Sequence, residues 1–577
     1  KENMTVKEVA EICKDINDEL TIIETDDEIP NLGYTISNKK LLSTGFEFRY
    51  NIRDCIKEMI DNWSKKTITP ELEYLDRGGN EYVDDRGKIL NYELTEPINL
   101  IGMIDSKKGT VRANHYHPIQ EQKCLLVKGQ YISVIQDLSV PNAPIETRVI
   151  NEGDIAIIKP NVAHAMVFTK DSIFLNLVRG EREHENYGIT HTIPYKLVND
   201  EMRDRLLSTY KTFCRSCGNV YLDRCVSLGS SPLANNLISS KDENVDTYPL
   251  EMNYCSKCKN CQLSVVVPPE EMFDEYLYVS STSSKFVNHF EEAANDYIEE
   301  FDLNETTLVV DVGSYAGYFT KDVVQEMIED HGRANLVTAS NVFAHSDELY
   351  NMASNAFDFL TEDGTFIVEV QYLLSTIEDL TFDNIYHEHT NYWSVTSINN
   401  FFDGMGLCVY KVKYVDTHGG SIRVYVKRKG KCTVDSSVKE YLSKEEDCGI
   451  LNLSTYKNFG KEVYKMKSNV RKNIDKLKEK YKKIIGYAAP AKATTALNFF
   501  GIDNNDIEYV IEDNELKHDK FIPCVNIPIK NKKYCTEDAP DAIIVLAWNF
   551  FDYIKEQNKD LVDSGCEFIN LNDLMGR

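Results

Sequence analysis

Residues Asp383-Asn384-Ile385-Tyr386-His387-Glu388-His389, followed by Asn391-Tyr392-Trp393-Ser394, crowd polar and titratable side chains into one short stretch. An imidazole titrates close to neutral pH and can take a proton from a reacting carbon. A carboxylate beside it can orient or tune it, and a phenol can donate to an oxyanion as it forms. His389 is the candidate base, Glu388 its tuner and Tyr386 the oxyanion donor. The apolar run from Gly364 to Val370 just upstream reads as a strand. A site that follows such a strand lies at the carboxyl edge of a parallel sheet, where open α/β folds keep their chemistry. Taken alone, a Tyr-His-Glu-His run fits a solvated, capping loop as readily.

Two Cys-x-x-Cys pairs, Cys214 with Cys217 and Cys255 with Cys258, are separated by 37 residues. Four thiolates on two such knuckles suit the tetrahedral shell of a closed structural Zn2+ site. The chain has 15 cysteines, clustered in part between Cys214 and Cys261. That clustering in a long chain favours metal binding and free buried thiols over disulfides.

The order of further motifs resembles one family. After Cys214 and Cys217 come Leu228-Gly229-Ser230-Ser231-Pro232-Leu233-Ala234-Asn235, the second cysteine pair, Gln262-Leu263 and Tyr276-Leu277-Tyr278-Val279-Ser280. Then follow Asn341-Val342-Phe343-Ala344-His345, the Tyr-His-Glu-His stretch, Thr417-His418-Gly419-Gly420-Ser421 and Gly486-Tyr487-Ala488-Ala489-Pro490-Ala491-Lys492. Residues 210 to 577 resemble the sugar C-methyltransferases by these motifs. The resemblance implies S-adenosylmethionine-dependent methylation of a nucleotide-linked 4-keto-deoxysugar, usually at C3. It implies an active-site hydroxyl at Tyr278, substrate contacts at His418 and Lys492, and no ligand role for Cys261.

Thr307 to Gly317 reads as a strand running into a glycine-containing turn, the first βα unit of a class I methyltransferase. Gly313, Ser314 and Gly317 would let the backbone approach the methionine part of the cofactor, with Asn341 at a later strand end. A Gly-x-x-x-Gly on its own is weak, and its place after an apolar strand strengthens it. The spacing then departs from the pattern. Only one helix, Lys321 to Asp330, fits between Gly317 and the strand Leu336 to Ser340, whereas each βαβ step takes about thirty residues. The second and third strands cannot both be present, and the carboxylate that ends the second strand and holds the cofactor ribose has no counterpart. Either the domain has decayed and does not bind the cofactor, or a segment is missing near Phe319-Thr320. The intact flanking motifs favour omission, since excising two buried strands should unfold a sheet.

From Ile98 short strands recur with turn signals, which predicts a β-sandwich or barrel. Gly109, His115-Tyr116-His117, Glu121, Gly129, Gly153-Asp154, Pro160 and His164 resemble the two motifs of a cupin, with altered spacings at Glu121–Gly129 and Pro160–His164. Three imidazoles and a carboxylate meeting in the mouth would suit a divalent first-row metal. Sugar-nucleotide cupins, 3-epimerases and ketoisomerases, use such histidines without metal as proton shuttles beside a ketone. The neighbouring methyltransferase motifs favour that use, with His115 and His117 as candidate bases.

With 577 residues the chain predicts several domains. Its fold class is multidomain: a β-sandwich cupin, a zinc-binding module, an α/β class I methyltransferase and a carboxyl-terminal Rossmann-like α/β domain. The boundaries fall at 1–65, 66–95 (linker or edge hairpin), 96–200, 210–270, 271–430, 431–483 (helical connector) and 484–577. A net charge of -28 disfavours nucleic acid and anionic membranes as partners. No run of about eighteen apolar residues and no signal peptide are seen, so the expected location is soluble and cytoplasmic. Asn31 to Phe48 and Ile52 to Ile60 resemble the last part of extended short-chain dehydrogenase/reductase sugar epimerases. That resemblance, with a first residue Lys1, suggests a longer natural polypeptide and a possible homodimer through this part or the cupin. Together these features predict a multifunctional nucleotide-sugar enzyme, with a degenerate methyltransferase scaffold beside an active cupin as the alternative and a metal-dependent cupin dioxygenase third.

Overall fold

A computed structural model describes residues 6–16 and 53 and, from 73 onward, all residues except 77–81, 85–86, 90, 93, 95–97, 141–142, 144, 180–190, 244, 274–283, 315–318, 418, 538 and 577. The chain divides into two units, 1–71 and 72–577. In the first, Val6–Ile16 is a helix and Arg53 pairs with Asp15 at 3.3 Å. The stretch resembling a sugar epimerase lies outside the described residues apart from Arg53.

The second unit opens with a β-sandwich. Its strands are β1 (Glu73–Asp76), β2 (Tyr82–Asp84), β3 (Gly87–Ile89), β4 (Leu100–Ser106), β5 (Val111–Tyr116), β6 (Gln122–Lys128), β7 (Gln130–Asp137), β8 (Glu146–Asn151), β9 (Ile155–Ile158), β10 (Val162–Phe168), β11 (Ser172–Val178) and β12 (Ile193–Pro194). One sheet runs β1-β9-β6-β11-β4 and the other β12-β5-β10-β7-β8, while β2 and β3 form a hairpin. The 66–95 stretch is therefore more than a linker: β1 pairs antiparallel with β9, Glu73 opposite Ile158. Charged, glycine-containing sequence suits an edge, where only one side of the strand is paired.

Side chains alternate across β10. Met166 and Phe168 pack inside with Cys124, Leu126 and Phe174. Ala163, Ala165 and Val167 face outward and share a core with Leu206, Tyr210, Leu233, Tyr248, Val265 and Val267 of the next module. Glu251, 1% exposed, crosses this junction to accept from the Thr147 N–H at 2.9 Å and its hydroxyl at 2.6 Å. Arg224 pairs with Glu146 beside it at 2.5 Å.

The cysteine module supplies β13 (Asp223–Pro232), β14 (Thr247–Tyr254) and β15 (Cys261–Leu263), and its sheet is completed by β19 (Asn391–Tyr392) in the order β13-β14-β15-β19. A second sheet holds β16 (Val309–Asp311), β17 (Ala334–Ser340), β18 (Leu360–Gln371), β20 (Leu407–Val415) and β21 (Ser421–Arg428), ordered β16-β17-β18-β21-β20. The strand expected over 364–370 starts at Leu360. β16, β17 and β18 are parallel, and β21 runs antiparallel to both neighbours. Among the described residues the 3-10 turn Val312–Ser314 and the helix Lys321–His331 lie between β16 and β17. On one face the helix Ser284–Phe301 sets Ala293 and Tyr297 against Leu336, Ile367 and Tyr425.

The connector forms helices Ser436–Asp447 and Leu453–Lys480. The longer one buries Tyr456, Phe459, Gly460, Val463, Met466, Val470 and Ile474, a stripe at helical spacing. Gly460 permits close approach to β13, since a Cβ there would sit 2.5 Å from the Cys225 carbonyl oxygen. The last domain holds β22 (Ile484–Tyr487), β23 (Val510–Ile511), β24 (Phe521–Ile522), β25 (Ile527–Lys530), β26 (Ala542–Val545) and β27 (Glu567–Asn570) in the order β24-β25-β23-β22-β26-β27. All adjacent pairs are parallel except β24 with β25. Among the described residues no helix is long and apolar enough to cross a membrane.

Candidate functional site

The Tyr-His-Glu-His stretch links two sheets. It leaves β18 through the helix Leu373–Glu378 and a 3-10 turn at Phe382–Asn384, then enters β19, which pairs with β15. Buried carbonyls and amides are rarely left without partners, and this segment's are taken up by the cysteine module. The Leu263 N–H donates to the Thr390 oxygen at 3.0 Å. Arg215, between the first two knuckle cysteines, donates to the Leu263 oxygen at 2.8 Å, the Thr390 oxygen at 3.2 Å and Asp347 at 2.7 Å. Burial lowers the Arg215 pKa, and the Asp347 carboxylate works to raise it again.

His389 is buried, and its Nδ1 lies 2.8 Å from the Asn384 carbonyl oxygen. A carbonyl can only accept, so Nδ1 carries a proton. The Tyr386 ring centroid lies 4.0 Å from that of His389 and the His345 ring 5.1 Å away. Glu388, 5% exposed, accepts from the Asn235 amide at 2.6 Å, which joins the Leu228–Asn235 motif to the site. His345 closes the Asn341–His345 motif, and the sequence assigns it no role. Its place beside His389 is a feature of the fold that sequence order alone did not reveal. Burial holds His345 neutral, with its pKa at about 4. His387 turns away toward Tyr248, 5.8 Å between centroids.

A second group gathers below this stretch. Asp383, 2% exposed, accepts from the Trp548 indole N–H at 2.7 Å. Lys492, in the first turn of the helix Ala491–Phe500, lies 5.9 Å from the Trp548 ring centroid. Burial lowers the Lys492 pKa, and Asp383 opposes that shift. A cleft of about 480 Å³ opens here, lined among others by Thr381, Tyr414, Asp416, Gly419, Trp548 and Asn549. Gly420, at φ +105°, must be glycine: a Cβ would meet the Ser375 Oγ at 2.6 Å and the Tyr414 hydroxyl at 2.8 Å. Tyr278, Gly317 and His418 lie outside the described residues.

The four thiols Cys214, Cys217, Cys255 and Cys258 have their sulfurs within 4.8 Å of one another. Cys214 to Cys258 is 3.5 Å and Cys217 to Cys255 is 3.6 Å. Zinc–sulfur bonds of about 2.3 Å in a tetrahedron need sulfurs a little under about 4 Å apart, so this donor set fits zinc. The knuckles repeat one geometry. Gly218 and Lys259, at φ +70° and +65°, donate to the Cys214 and Cys255 oxygens, and both cysteine N–H groups are in turn bonded, to Asn219 and Asn260 oxygens. Cys261 stays outside the set.

For S-adenosylmethionine the fit is one-sided. The Val312–Ser314 turn closes β16, and the Gly313 N–H donates to the Asp311 carboxylate at 3.1 Å. Asn341, at φ +56°, ends β17 beside it and gives its N–H to the Glu369 oxygen at 2.8 Å. These are the residues that would hold the methionine end of the cofactor. Among the described residues no strand lies beyond β16, which stands at the edge of its sheet.

In the sandwich, His115, His117 and His164 place their ring nitrogens within 4.8 Å of one another. His115 stands opposite His164 on β5 and β10, with centroids 4.7 Å apart, and His117 is 4.8 Å from His115. Burial, then the two neighbouring imidazoles, push the His164 pKa to about 3. Glu121 does not join the three rings as the sequence suggested; it forms an ion pair with Lys123 at 3.0 Å. A long, partly exposed carboxylate takes the nearest cation, which spacing along the chain cannot foresee.

Comparison with known proteins adds the following. Residues 416–571 match the family model for the C-methyltransferase C-terminal domain, and residues 214–273 match that for a zinc binding domain. The C-methyltransferase NovU of Streptomyces niveus is 29% identical over 395 residues, covering 62% of this chain and 94% of that protein. Among solved structures, a dTDP-4-dehydrorhamnose 3,5-epimerase from Sulfolobus tokodaii is 24% identical with a TM-score of 0.19, over 21% of this chain and 76% of its own. The sugar 3,4-ketoisomerase QdtA from Thermoanaerobacterium thermosaccharolyticum is 18% identical with a TM-score of 0.19, over 24% of this chain and 95% of its own.

Proposed function

We propose that this enzyme, which carries the zinc-binding and C-terminal domains of the C-methyltransferases, deprotonates and methylates the carbon beside the ketone, C3, of a nucleotide-linked 4-keto-deoxysugar. The observation that carries the reading is His389, buried, with Nδ1–H committed to the Asn384 oxygen at 2.8 Å. In this reading its Nε2 serves as the base. As the C3–H bond breaks, the proton goes to Nε2 and the electron pair moves onto the ketone oxygen. The hydroxyls of Tyr386 and Tyr278 donate to that oxygen as its charge grows. Glu388, held by Asn235 at 2.6 Å, keeps a negative charge near the imidazolium that results. Lys492 and His418 face the diphosphate and sugar. When bound, S-adenosylmethionine supplies a methyl group on a sulfonium, and Gly313, Ser314, Gly317 and Asn341 hold its methionine end. Zinc on Cys214, Cys217, Cys255 and Cys258 braces the module that fixes Thr390.

In the cupin, His115 and His117 move a proton at a carbon next to the ketone, as epimerase or ketoisomerase, while His164 stays neutral behind them. A second reading has support from one observation: β16 pairs directly with β17. In it the α/β half holds the nucleotide sugar as a scaffold and only the cupin turns over.

The test is methyl transfer from labelled S-adenosylmethionine to a nucleoside-diphosphate 4-keto-6-deoxyhexose, together with deuterium uptake at its C3. Removing a positioned base costs about 10²–10⁴-fold. His389→Ala should therefore lose both signals by that order, while a His115→Asn, His117→Asn double variant keeps methyl transfer. A His389→Ala protein working at the parent rate would sink the assignment.

A further inference from the structure

The two cysteine knuckles are related by an approximate two-fold axis. The sulfur pairs Cys214–Cys258 at 3.5 Å and Cys217–Cys255 at 3.6 Å exchange under it. So do the turns that give the Cys214 N–H to the Asn219 oxygen at 2.8 Å and the Cys255 N–H to the Asn260 oxygen at 2.9 Å. Each knuckle thus carries an asparagine two residues beyond its second cysteine.

Zinc on four thiolates leaves about two negative charges at the centre, and a buried charge needs hydrogen-bond donors around it. Asn219 supplies one. Its side-chain oxygen accepts from the Tyr221 N–H at 3.3 Å, and its nitrogen donates to the Tyr221 oxygen at 2.8 Å and to the Cys255 sulfur at 3.4 Å. The Tyr221 contacts settle which end of the carboxamide is the donor. Asn260 is fully buried, and neither end of its carboxamide has a hydrogen-bond partner. Buried amides are rarely left so, and the axis that takes Asn219 to Asn260 takes Cys255 to Cys214.

Exposure separates the sulfurs a second time. Cys214 and Cys255 are 0% exposed and Cys258 is 7% exposed, whereas Cys217 is half-buried. The reactivity of a thiolate follows its access to solvent and the groups that draw on its electron pair.

We infer that the Asn219 and Asn260 amides are the donors that hold zinc on the buried thiolates Cys255 and Cys214, and that Cys217 is the ligand at which electrophiles attack and from which zinc is lost. With iodoacetamide the Cys217 sulfur displaces iodide from the CH₂ group: the S–C bond forms, the C–I bond breaks and iodide leaves with its electron pair. The resulting thioether carries no charge and gives up the metal.

The full-length, zinc-loaded protein is exposed to iodoacetamide for set times, and mass spectrometry follows the four cysteine peptides while a chelating dye reads released zinc. Cys217 is expected to react at least about tenfold faster than the other three, with zinc appearing at the same rate. Earlier modification of Cys214, Cys255 or Cys258, one common rate for all four, or zinc leaving ahead of Cys217 modification overturns the assignment of Cys217. Asn219→Ala tests the donors. Zinc affinity, measured by chelator competition, should fall about 10–100-fold. In the cobalt-loaded variant the sulfur-to-cobalt charge-transfer band should move to lower energy, because a sulfur relieved of an N–H bond gives up its electrons more readily. A purely structural role in the turn would weaken the metal and leave the band in place; that result, or unchanged affinity, overturns the assignment of Asn219. Asn260→Ala should shift the band in the same sense, and a band at the parent position overturns the pairing with Cys214.

Discussion

Replacing Arg215 by methionine tests whether the zinc knuckle is what fixes the reactive stretch. The Arg215 side chain is fully buried and bonds Asp347 at 2.7 Å, the Leu263 oxygen at 2.8 Å and the Thr390 oxygen at 3.2 Å. Breaking a buried ion pair by deleting one partner costs about 3–5 kcal/mol. Asp347 keeps Lys211 as a second partner, which puts the ionic part at the low end of that range, near ~3 kcal/mol. The two carbonyls lose a donor, at about 1 kcal/mol together once their remaining contacts are counted. A loss near ~4 kcal/mol in local stability is about a thousandfold in amide protection at 1.4 kcal/mol per decade. Hydrogen exchange followed by mass spectrometry on peptides spanning 259–265 and 388–394 measures it. Zinc should stay bound, because all four cysteines and the backbone hydrogen bonds of their knuckles are kept, and Arg215→Lys should recover the Asp347 pair but not both carbonyls. Unchanged protection at β15 and β19, or a loss spread equally into the β-sandwich peptides, would refute the idea that this side chain clamps the loop.

Cys258→Ser should release zinc in a colorimetric chelator assay and, with it, the protection of β15, whereas Cys261→Ser, outside the four-sulfur cluster, should keep one zinc per chain. His387 is buried with its pKa held at about 4, below the ordinary 6.5. The unfolded chain thus takes up that proton first on acidification, so the native state is favoured above pH ~6.5 and loses about 3 kcal/mol of that advantage as pH falls toward ~4. A urea titration at several pH values should show this slope flattened in His387→Asn.

What could be read from the chain followed how local the constraint was. The cysteine knuckles were legible because two residues of spacing fix each turn, and the turns at Gly218 and Lys259 carry matching hydrogen bonds. The shortfall between Gly317 and Leu336 was legible because strands and crossovers need length, and the sheet indeed runs from β16 straight to β17. Contacts between distant motifs were not. Asn235 and Glu388 stand 153 residues apart, and nothing in either motif names the other. His345 and His389 likewise meet only because β17 and β18 end side by side. Composition left the 66–95 stretch open between a linker and an edge hairpin, since charges and glycines suit both, and only the pairing of β1 with β9 and of β2 with β3 separates the two.

The reactive stretch is held from three sides, only one of them its own sheet, through the turn between β20 and β21. Thr390 is tied to the cysteine module through Leu263 and Arg215, and Asp383 to the carboxyl-terminal domain through Trp548. The Thr417–Ser421 turn reaches it where the Gly420 oxygen accepts from the Tyr372 N–H at 3.0 Å, with Gly419 beside the Asn384 side chain. A loop anchored in this way has no reason to keep its geometry when any one module is removed, because each anchor satisfies backbone or buried polar groups that the others cannot reach. The same logic ties the β-sandwich, whose outer sheet face shares a core with Tyr248 and Val265, to this assembly: Tyr248 packs on His387, one residue from Glu388. The geometry of the Tyr386–His389 stretch is therefore a property of the joined modules, and its integrity should fail as a unit.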